Sequence, residues 1–167
     1  RGSDASARNR IGLLEERYRR LLRLAGGVIV KSERMACRLE ELGAERQRIQ
    51  ISPSGANPAL FHGSQPCQSP PLFLAVGRFV AKKGPLLTLQ AFQLCLQRAD
   101  VSPLPQLWMV GEGPLLAEAR RFVVQHQLQK NVVFAGVCSQ EQVAERMRLV
   151  RAFVQHSIVA PDGDSEG

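Results

Sequence analysis

Apolar residues recur with helical spacing near the start of the chain. In residues 11–25 the apolar side chains fall on one helical face, and four arginines occupy the remainder. This face includes Leu14, Tyr18, Leu21 and Leu22. The pattern predicts an amphipathic helix that ends at a pair of glycines.

Two short apolar runs follow this helix, at residues 28–30 and 49–51. Each predicts a short buried strand. Between them, Ser32 is suited to the N-cap of a helix and Gly43 to its C-terminal stop. The first third of the chain therefore predicts two strands separated by one capped helix.

From residue 72 onward the pattern becomes regular. Runs that are apolar on both faces alternate with helical patterns of 10–15 residues, which is typical of right-handed βαβ units and a parallel sheet. The predicted fold class is α/β, a Rossmann-like parallel sheet with helices on both faces. The predicted strands lie near 72–77, 106–110, 132–136 and 152–157, and the predicted helices near 85–99, 114–128 and 139–150.

A proline-rich stretch separates these two parts. Residues 52–71 hold five prolines and few apolar residues, which is typical of a linker. We predict a remnant of a first domain at 1–52, a linker at 53–71 and a second domain at 72–167. Because the chain begins without Met and ends in a loop, we expect a fragment truncated at both ends.

Composition excludes several classes of protein. With 44% apolar and 22% charged residues among 167, the chain resembles an average globular protein. The four cysteines and three histidines are widely scattered, so a zinc site or disulfide framework is not expected. Buried, reduced thiols in a cytoplasmic protein are the favoured interpretation.

The net charge of +7 favours anionic partners. Many of the cations are arginines between residues 8 and 48, where a solvated helical face is the simpler explanation. Aromatic residues make up only 5%, which leaves little for base stacking. We expect no nucleic-acid partner, whereas peripheral contact with an anionic membrane stays open.

Glycines follow the predicted strands at the point where each strand ends. These are Gly77, then Gly111 and Gly113, and finally Gly136. Ligands of open α/β sheets bind beyond the carboxyl ends of the strands, where glycine lets a ligand approach the backbone. The second of these turns resembles only half of a dinucleotide fingerprint, so it is a weak signal alone.

The loop after the first of these strands carries several cations. Arg78 and Lys83 lie five residues apart in one short loop. An arginine fork and a lysine point charge together suit a diphosphate without a metal ion. The alternative is that Arg78, Lys82 and Lys83 merely solvate a turn, and position alone does not separate the two.

The polar tail after the fourth strand fits a loop at the same edge. Glu166, just before Gly167, could accept hydrogen bonds from a polyhydroxylated ligand. Asp162 and Asp164 are interpreted as turn formers rather than metal ligands.

These motifs occur in the order found in retaining glycosyltransferases of family 4, which have the GT-B fold. The chain resembles that family over nearly its whole length. Its last residues, 156–167, most resemble those of enzymes of colanic-acid, exopolysaccharide and lipopolysaccharide assembly. The motifs that carry the resemblance are Ser54–Asn57, Val76–Arg78 with Lys82–Gly84, Val110–Pro114, Val133–Gly136 and Glu166–Gly167.

The resemblance implies a sugar transfer from a nucleotide-diphosphate sugar, such as a UDP or GDP sugar, to a glycan or lipid-linked acceptor. It implies two Rossmann-like domains with the active site in the cleft between them, retention of anomeric configuration, and no metal. Arg78 and Lys83 would hold the diphosphate and stabilise the leaving group, and Glu166 would contact the donor sugar. The backbone around Gly136 and Val137 would face the base.

One position departs from the family pattern. Arg1 stands where the family has a histidine that points at the sugar. The implied location is cytoplasmic, with peripheral contact at the inner face of the plasma membrane.

Two other classes of function are weighed against this one. A nucleotide-binding oxidoreductase or epimerase would need GxGxxG after its first strand, and Gly77–Lys82 lacks those glycines. A basic module for membrane or nucleic acid would concentrate cations with aromatics, whereas the basic residues here are concentrated in the helical stretches 11–25 and 33–48.

Overall fold

The computed structural model describes residues 8–161 of the chain. These residues divide into two compact units. Among the described residues, the first unit contains those up to Ala56 together with residues 159–161, and the second spans Asn57–Ile158. The division falls within the stretch 53–71, and the predicted domain limits at 52 and 72 stay a prediction.

The first unit is built on two parallel strands. Its elements are α1 (Arg8–Leu24), β1 (Val28–Val30), α2 (Glu33–Glu41) and β2 (Ile49–Ile51), with β1 and β2 paired in parallel. The Ser32 hydroxyl accepts a hydrogen bond from the Met35 amide, which confirms the predicted N-cap. Gly43 has a φ of +94°, so glycine suits the end of α2.

Leu22 and Leu42 form the small core of this unit, with Tyr18 packed against them. Tyr18 and Leu22 of the predicted apolar face therefore pack in this core, whereas Leu21 is 61% exposed. Of the described residues, no helix is both long enough and apolar enough to cross a membrane.

The second unit contains a four-stranded, entirely parallel sheet with the strand order β5-β4-β3-β6. Pro85 opens α3 at its first turn, and Ser139 and Gln142 form the predicted capping box of α5. The elements are β3 (Leu72–Val76), α3 (Pro85–Arg98), β4 (Gln106–Val110), α4 (Leu116–Gln125), β5 (Val132–Gly136), α5 (Gln140–Leu149) and β6 (Ala152–Phe153).

Alternate residues of the sheet face two separate cores. Leu107 and Met109 of β4 belong to the core that α3 and α4 cover, and Val110 belongs to the core that α5 covers. Burying a side chain such as Leu107 contributes about 1.5–3 kcal/mol. The sheet is thus covered on both faces, which confirms the predicted α/β fold class.

The segment before β3 is hydrogen-bonded to the second unit. Arg148 on α5 donates to the Leu60 carbonyl at 3.0 Å, and the Arg151 Nε donates to the Ser69 carbonyl at 2.8 Å. These bonds anchor residues 57–71 on the α5 side of the sheet.

Three details differ from the sequence predictions. The helix α4 begins at Leu116 rather than at Pro114, and the strand predicted at 152–157 is regular only at Ala152–Phe153. All four cysteines are free, as expected, but they are not buried, and three of them are exposed.

Candidate functional site

A shallow cavity lies at the carboxyl edge of the four-stranded sheet. Its lining includes the ends of β3 and β4, the loop after β3, and the residues that follow β6. Gly77, Arg78, Lys83 and His156 are among the lining residues. The cavity measures about 30 Å³, room for about one water molecule. A larger ligand would therefore lie over this carboxyl-edge cavity.

The loop after β3 brings both predicted cations to the cavity. A short 3-10 turn at Ala81–Lys83 ends at Gly84, which is left-handed with a φ of +55°. A Cβ built on Gly77 would lie 3.5 Å from Cδ of Lys83, so the lysine stem runs along the glycine. Arg78 is exposed and lines the same cavity. The two cations predicted for a diphosphate thus share one surface.

The neighbouring lysine has a different environment. Lys82 is only 8% exposed and does not line the carboxyl-edge cavity. Its carbonyl oxygen accepts a hydrogen bond from the Ile158 amide at 2.9 Å. Consecutive lysines therefore take separate places, Lys83 at the cavity and Lys82 in the packing of the loop.

Gly111 and Gly113 allow two loops to pack closely. A Cβ on Gly111 would overlap the Gly77 carbonyl oxygen, and a Cβ on Gly113 would lie 2.5 Å from the Phe79 carbonyl oxygen. Both glycines also have positive φ, at +131° and +154°. The loop-to-loop contact thus already requires glycine at both places, and the predicted role of Gly111 and Gly113 in donor binding stays a prediction.

The end of β5 offers a different surface. Gly136 has a φ of +67°, and a Cβ built on it would meet no atom within 4 Å. Val137 follows it and is 69% exposed. The Gly136 carbonyl accepts a hydrogen bond from the Gly111 amide at 2.7 Å, which fixes this end against β4. An exposed apolar side chain beside open backbone is compatible with the flat face of a base.

The structure adds residues that the sequence analysis missed. Gln155, His156 and the buried Thr88 line the carboxyl-edge cavity, and none was predicted as a site residue. The available signal is position, because Gln155 and His156 lie toward the carboxyl end of the predicted strand 152–157, the edge at which ligands of such sheets bind. In the sequence, His156 is one of three scattered histidines.

Several predictions lie outside the described residues. These are Glu166, Gly167, Asp162, Asp164 and Arg1. Within residues 8–161, no group of three or more histidine, cysteine, aspartate or glutamate side chains could hold a metal ion. The predicted absence of a metal cofactor stays a prediction.

Two relatives match almost the whole chain. A protein of Escherichia coli K12 named as a colanic acid biosynthesis glycosyltransferase, WcaL, is 27% identical, and the match covers 99% of this chain and 41% of the relative. The amylovoran biosynthesis glycosyltransferase AmsK of Erwinia amylovora is 24% identical, with coverages of 99% and 40%. The chain spans about two fifths of the length of these relatives.

Solved structures agree on the fold. Anabaena Alr3699/HepE, solved with UDP and glucose, has a TM-score of 0.67 and 16% identity, and the match covers 89% of this chain and 43% of that one. The structural neighbours are GT-B glycosyltransferases. The family model of glycosyl transferases group 1 matches residues 59–167, well over half of the chain. The protein therefore belongs to the glycosyl transferases group 1 family.

Proposed function

We propose that this chain is the donor-binding part of a retaining glycosyltransferase that moves a sugar from a nucleotide-diphosphate sugar to a glycan or lipid-linked acceptor. The observation that carries the proposal is that Arg78 and Lys83 line one cavity at the carboxyl edge of a parallel sheet in a member of this family. The relatives are named for colanic acid and amylovoran biosynthesis. Their names support surface polysaccharide synthesis as the setting.

The proposed chemistry follows from charge at the leaving group. As the bond between the sugar and the diphosphate breaks, negative charge grows on the phosphate oxygens. Arg78 would take these oxygens in a bidentate fork, and Lys83 would add a compact positive charge. Cations already placed where charge develops stabilise the transition state more than the ground state. In this proposal the two side chains replace a divalent metal.

The other predicted contacts complete the donor. The backbone at Gly136 and Val137 would face the base, and Glu166 would accept hydrogen bonds from the donor sugar. We propose that the new bond forms on the face from which the diphosphate leaves, so the anomeric configuration is retained. An oxidoreductase or epimerase is no longer favoured, because the chain belongs to a glycosyltransferase family.

The acceptor side is a separate part of the proposal. In α1, Leu21 and Leu24 are 61% and 77% exposed, and Arg17 and Arg20 are exposed on the same helix. Exposed leucines beside arginines are compatible with peripheral contact with an anionic membrane, where a lipid-linked acceptor would be found. The cytoplasmic location is proposed from the likeness to the glycosyltransferase relatives.

A thermal-shift panel tests the donor proposal. The full-length protein is heated with UDP, GDP and ADP and with their sugars, and stabilisation by one nucleotide diphosphate is expected. Arg78→Ala or Lys83→Ala should then weaken binding about 10- to 150-fold, since a hydrogen bond to a charged group contributes about 1.5–3 kcal/mol.

Two variants serve as matched controls. Arg98→Ala and Lys130→Ala each remove one exposed cation from the same unit, and neither residue lines the carboxyl-edge cavity. Both should bind like the wild type. If no nucleotide stabilises the protein, or if control and cavity variants lose affinity equally, the assignment is rejected.

A further inference from the structure

The segment that follows β6 is held against the proposed diphosphate loop. The Val154 amide donates to the Leu74 carbonyl at 2.8 Å, and the Ile158 amide donates to the Lys82 carbonyl at 2.9 Å. Between these two bonds lies His156. Its backbone position is therefore set on one side by the sheet and on the other by the loop that carries Lys83.

Gly84 shows how closely the two segments approach. A Cβ built on Gly84 would lie 2.5 Å from the His156 carbonyl oxygen and 3.3 Å from Cδ2 of its ring. The imidazole therefore rests on the glycine that immediately precedes α3. His156 therefore lies beside the amino end of α3, which has 14 residues. It lines the same cavity as Lys83.

We infer that His156 binds the β-phosphate of the donor, as a third contact beside Arg78 and Lys83. This inference rests on the proposed function, because it assigns a further contact within the same site. An imidazole carries at least one N–H donor in either protonation state, so it can donate to a phosphate oxygen. Hydrogen bonds on both sides hold its backbone near the cavity, which reduces the ordering that the contact requires.

The sheet order favours the β-phosphate, rather than the base or the α-phosphate, as the group that His156 contacts. His156 follows β6, which pairs with β3, whereas Gly136 and Val137 lie at the end of β5 at the opposite side of the four-stranded sheet. If the base faces β5, the diphosphate extends across β4 and β3 toward β6. The last phosphate before the sugar is then the group that reaches His156.

Calorimetry with nucleoside diphosphates and monophosphates tests this contact. The full-length protein is titrated with whichever of UDP, GDP and ADP binds best, and then with the matching monophosphate. His156→Ala should weaken the diphosphate about tenfold and leave the monophosphate unchanged. His156→Gln, which keeps a neutral N–H donor, should recover part of the loss.

His62→Ala is the matched control. His62 is also exposed and belongs to the same unit, but it lines a different cavity, beside α5. It should bind both nucleotides like the wild type. Circular dichroism checks that each variant is folded, and His156→Gln keeps the test valid if the alanine variant is not.

The outcomes separate this inference from the proposed function. If the wild type binds none of the nucleotides, the proposed function fails. If the wild type binds the diphosphate and His156→Ala binds it equally well, the inference alone is overturned. It is also overturned if His156→Ala weakens only the sugar nucleotide and not the free diphosphate, because His156 would then contact the sugar.

Discussion

The packing of Gly111 against Gly77 predicts a large cost for one added methyl group. In Gly111→Ala the new Cβ would overlap the Gly77 carbonyl oxygen, which is backbone and cannot rotate away. The loop after β4 must then move away from the loop after β3. The movement would strain the hydrogen bonds between these loops, above all those from the Gly77 amide to the Val110 carbonyl at 2.9 Å and from the Phe79 amide to the Glu112 carbonyl at 2.8 Å.

The magnitude follows from strain and from these bonds. A residue other than glycine held at a φ of +131° costs about 1–3 kcal/mol. Each of the two hydrogen bonds contributes about 1 kcal/mol to stability. We expect Gly111→Ala to lower the free energy of unfolding of the second unit by about 3–5 kcal/mol.

Gly63→Ala is the control for strain without a clash. Gly63 has a φ of +74°, and a Cβ built on it would meet no atom within 4 Å. Its alanine variant should therefore lose only about 1–2 kcal/mol. Trp108, the single tryptophan of the chain, lies in β4, so its fluorescence during urea denaturation reports on this unit. Equal losses in Gly111→Ala and Gly63→Ala would refute the reasoning.

Three further predictions concern a cap, a metal and a membrane. Ser139→Ala should lower the free energy of unfolding by about 1 kcal/mol, measured by urea denaturation, because it removes the cap of α5. The pKa of Glu141 is lowered by a hydrogen bond with Ser139 and then by one with the backbone, so in this variant it should rise in an NMR titration. Ser157→Ala is the control and should change neither quantity. Turnover of the full-length protein should be unaffected by EDTA, and an activity restored only by a divalent ion would contradict the proposed role of the two cations. Co-sedimentation with anionic vesicles at low salt should weaken when Arg20 and Arg23 become glutamine, at about 1 kcal/mol per cation, and no binding by the wild type would leave α1 without a membrane role.

Strands that are buried on both faces were the most predictable elements. The runs Leu72–Val76 and Gln106–Val110 match the observed strands within a residue, because every position except Gln106, the first of its strand, is apolar. The start of α4 was not predictable in this way. The Leu115 amide donates to the Phe79 carbonyl at 3.0 Å, which holds the residues after Gly113 in a turn before the helix begins. That contact joins two loops far apart in the sequence.

In the candidate site, too, residues of one loop were predictable together, whereas a residue brought there by strand pairing was not. Arg78 and Lys83 could be paired from the sequence because they belong to one loop. His156 could not be added to them, since its place depends on β6 pairing beside β3 and on the fit of its backbone against Gly84. Helical or strand periodicity predicts local elements and does not predict such a contact between distant segments.

The pairing of β6 also determines which part of the site opens most readily. Only two register positions join β6 to β3, whereas five join β3 to β4. Amide protons next to β6, such as that of Val154, should therefore exchange with solvent through local opening, while those in the middle of β4 exchange only when the whole unit unfolds. Since His156 lies two residues beyond Val154, a bound diphosphate that contacts its ring would hold this strand closed. Hydrogen exchange at the Val154 amide should then be slower with the diphosphate bound than without it, so this amide would indicate whether the cavity is occupied.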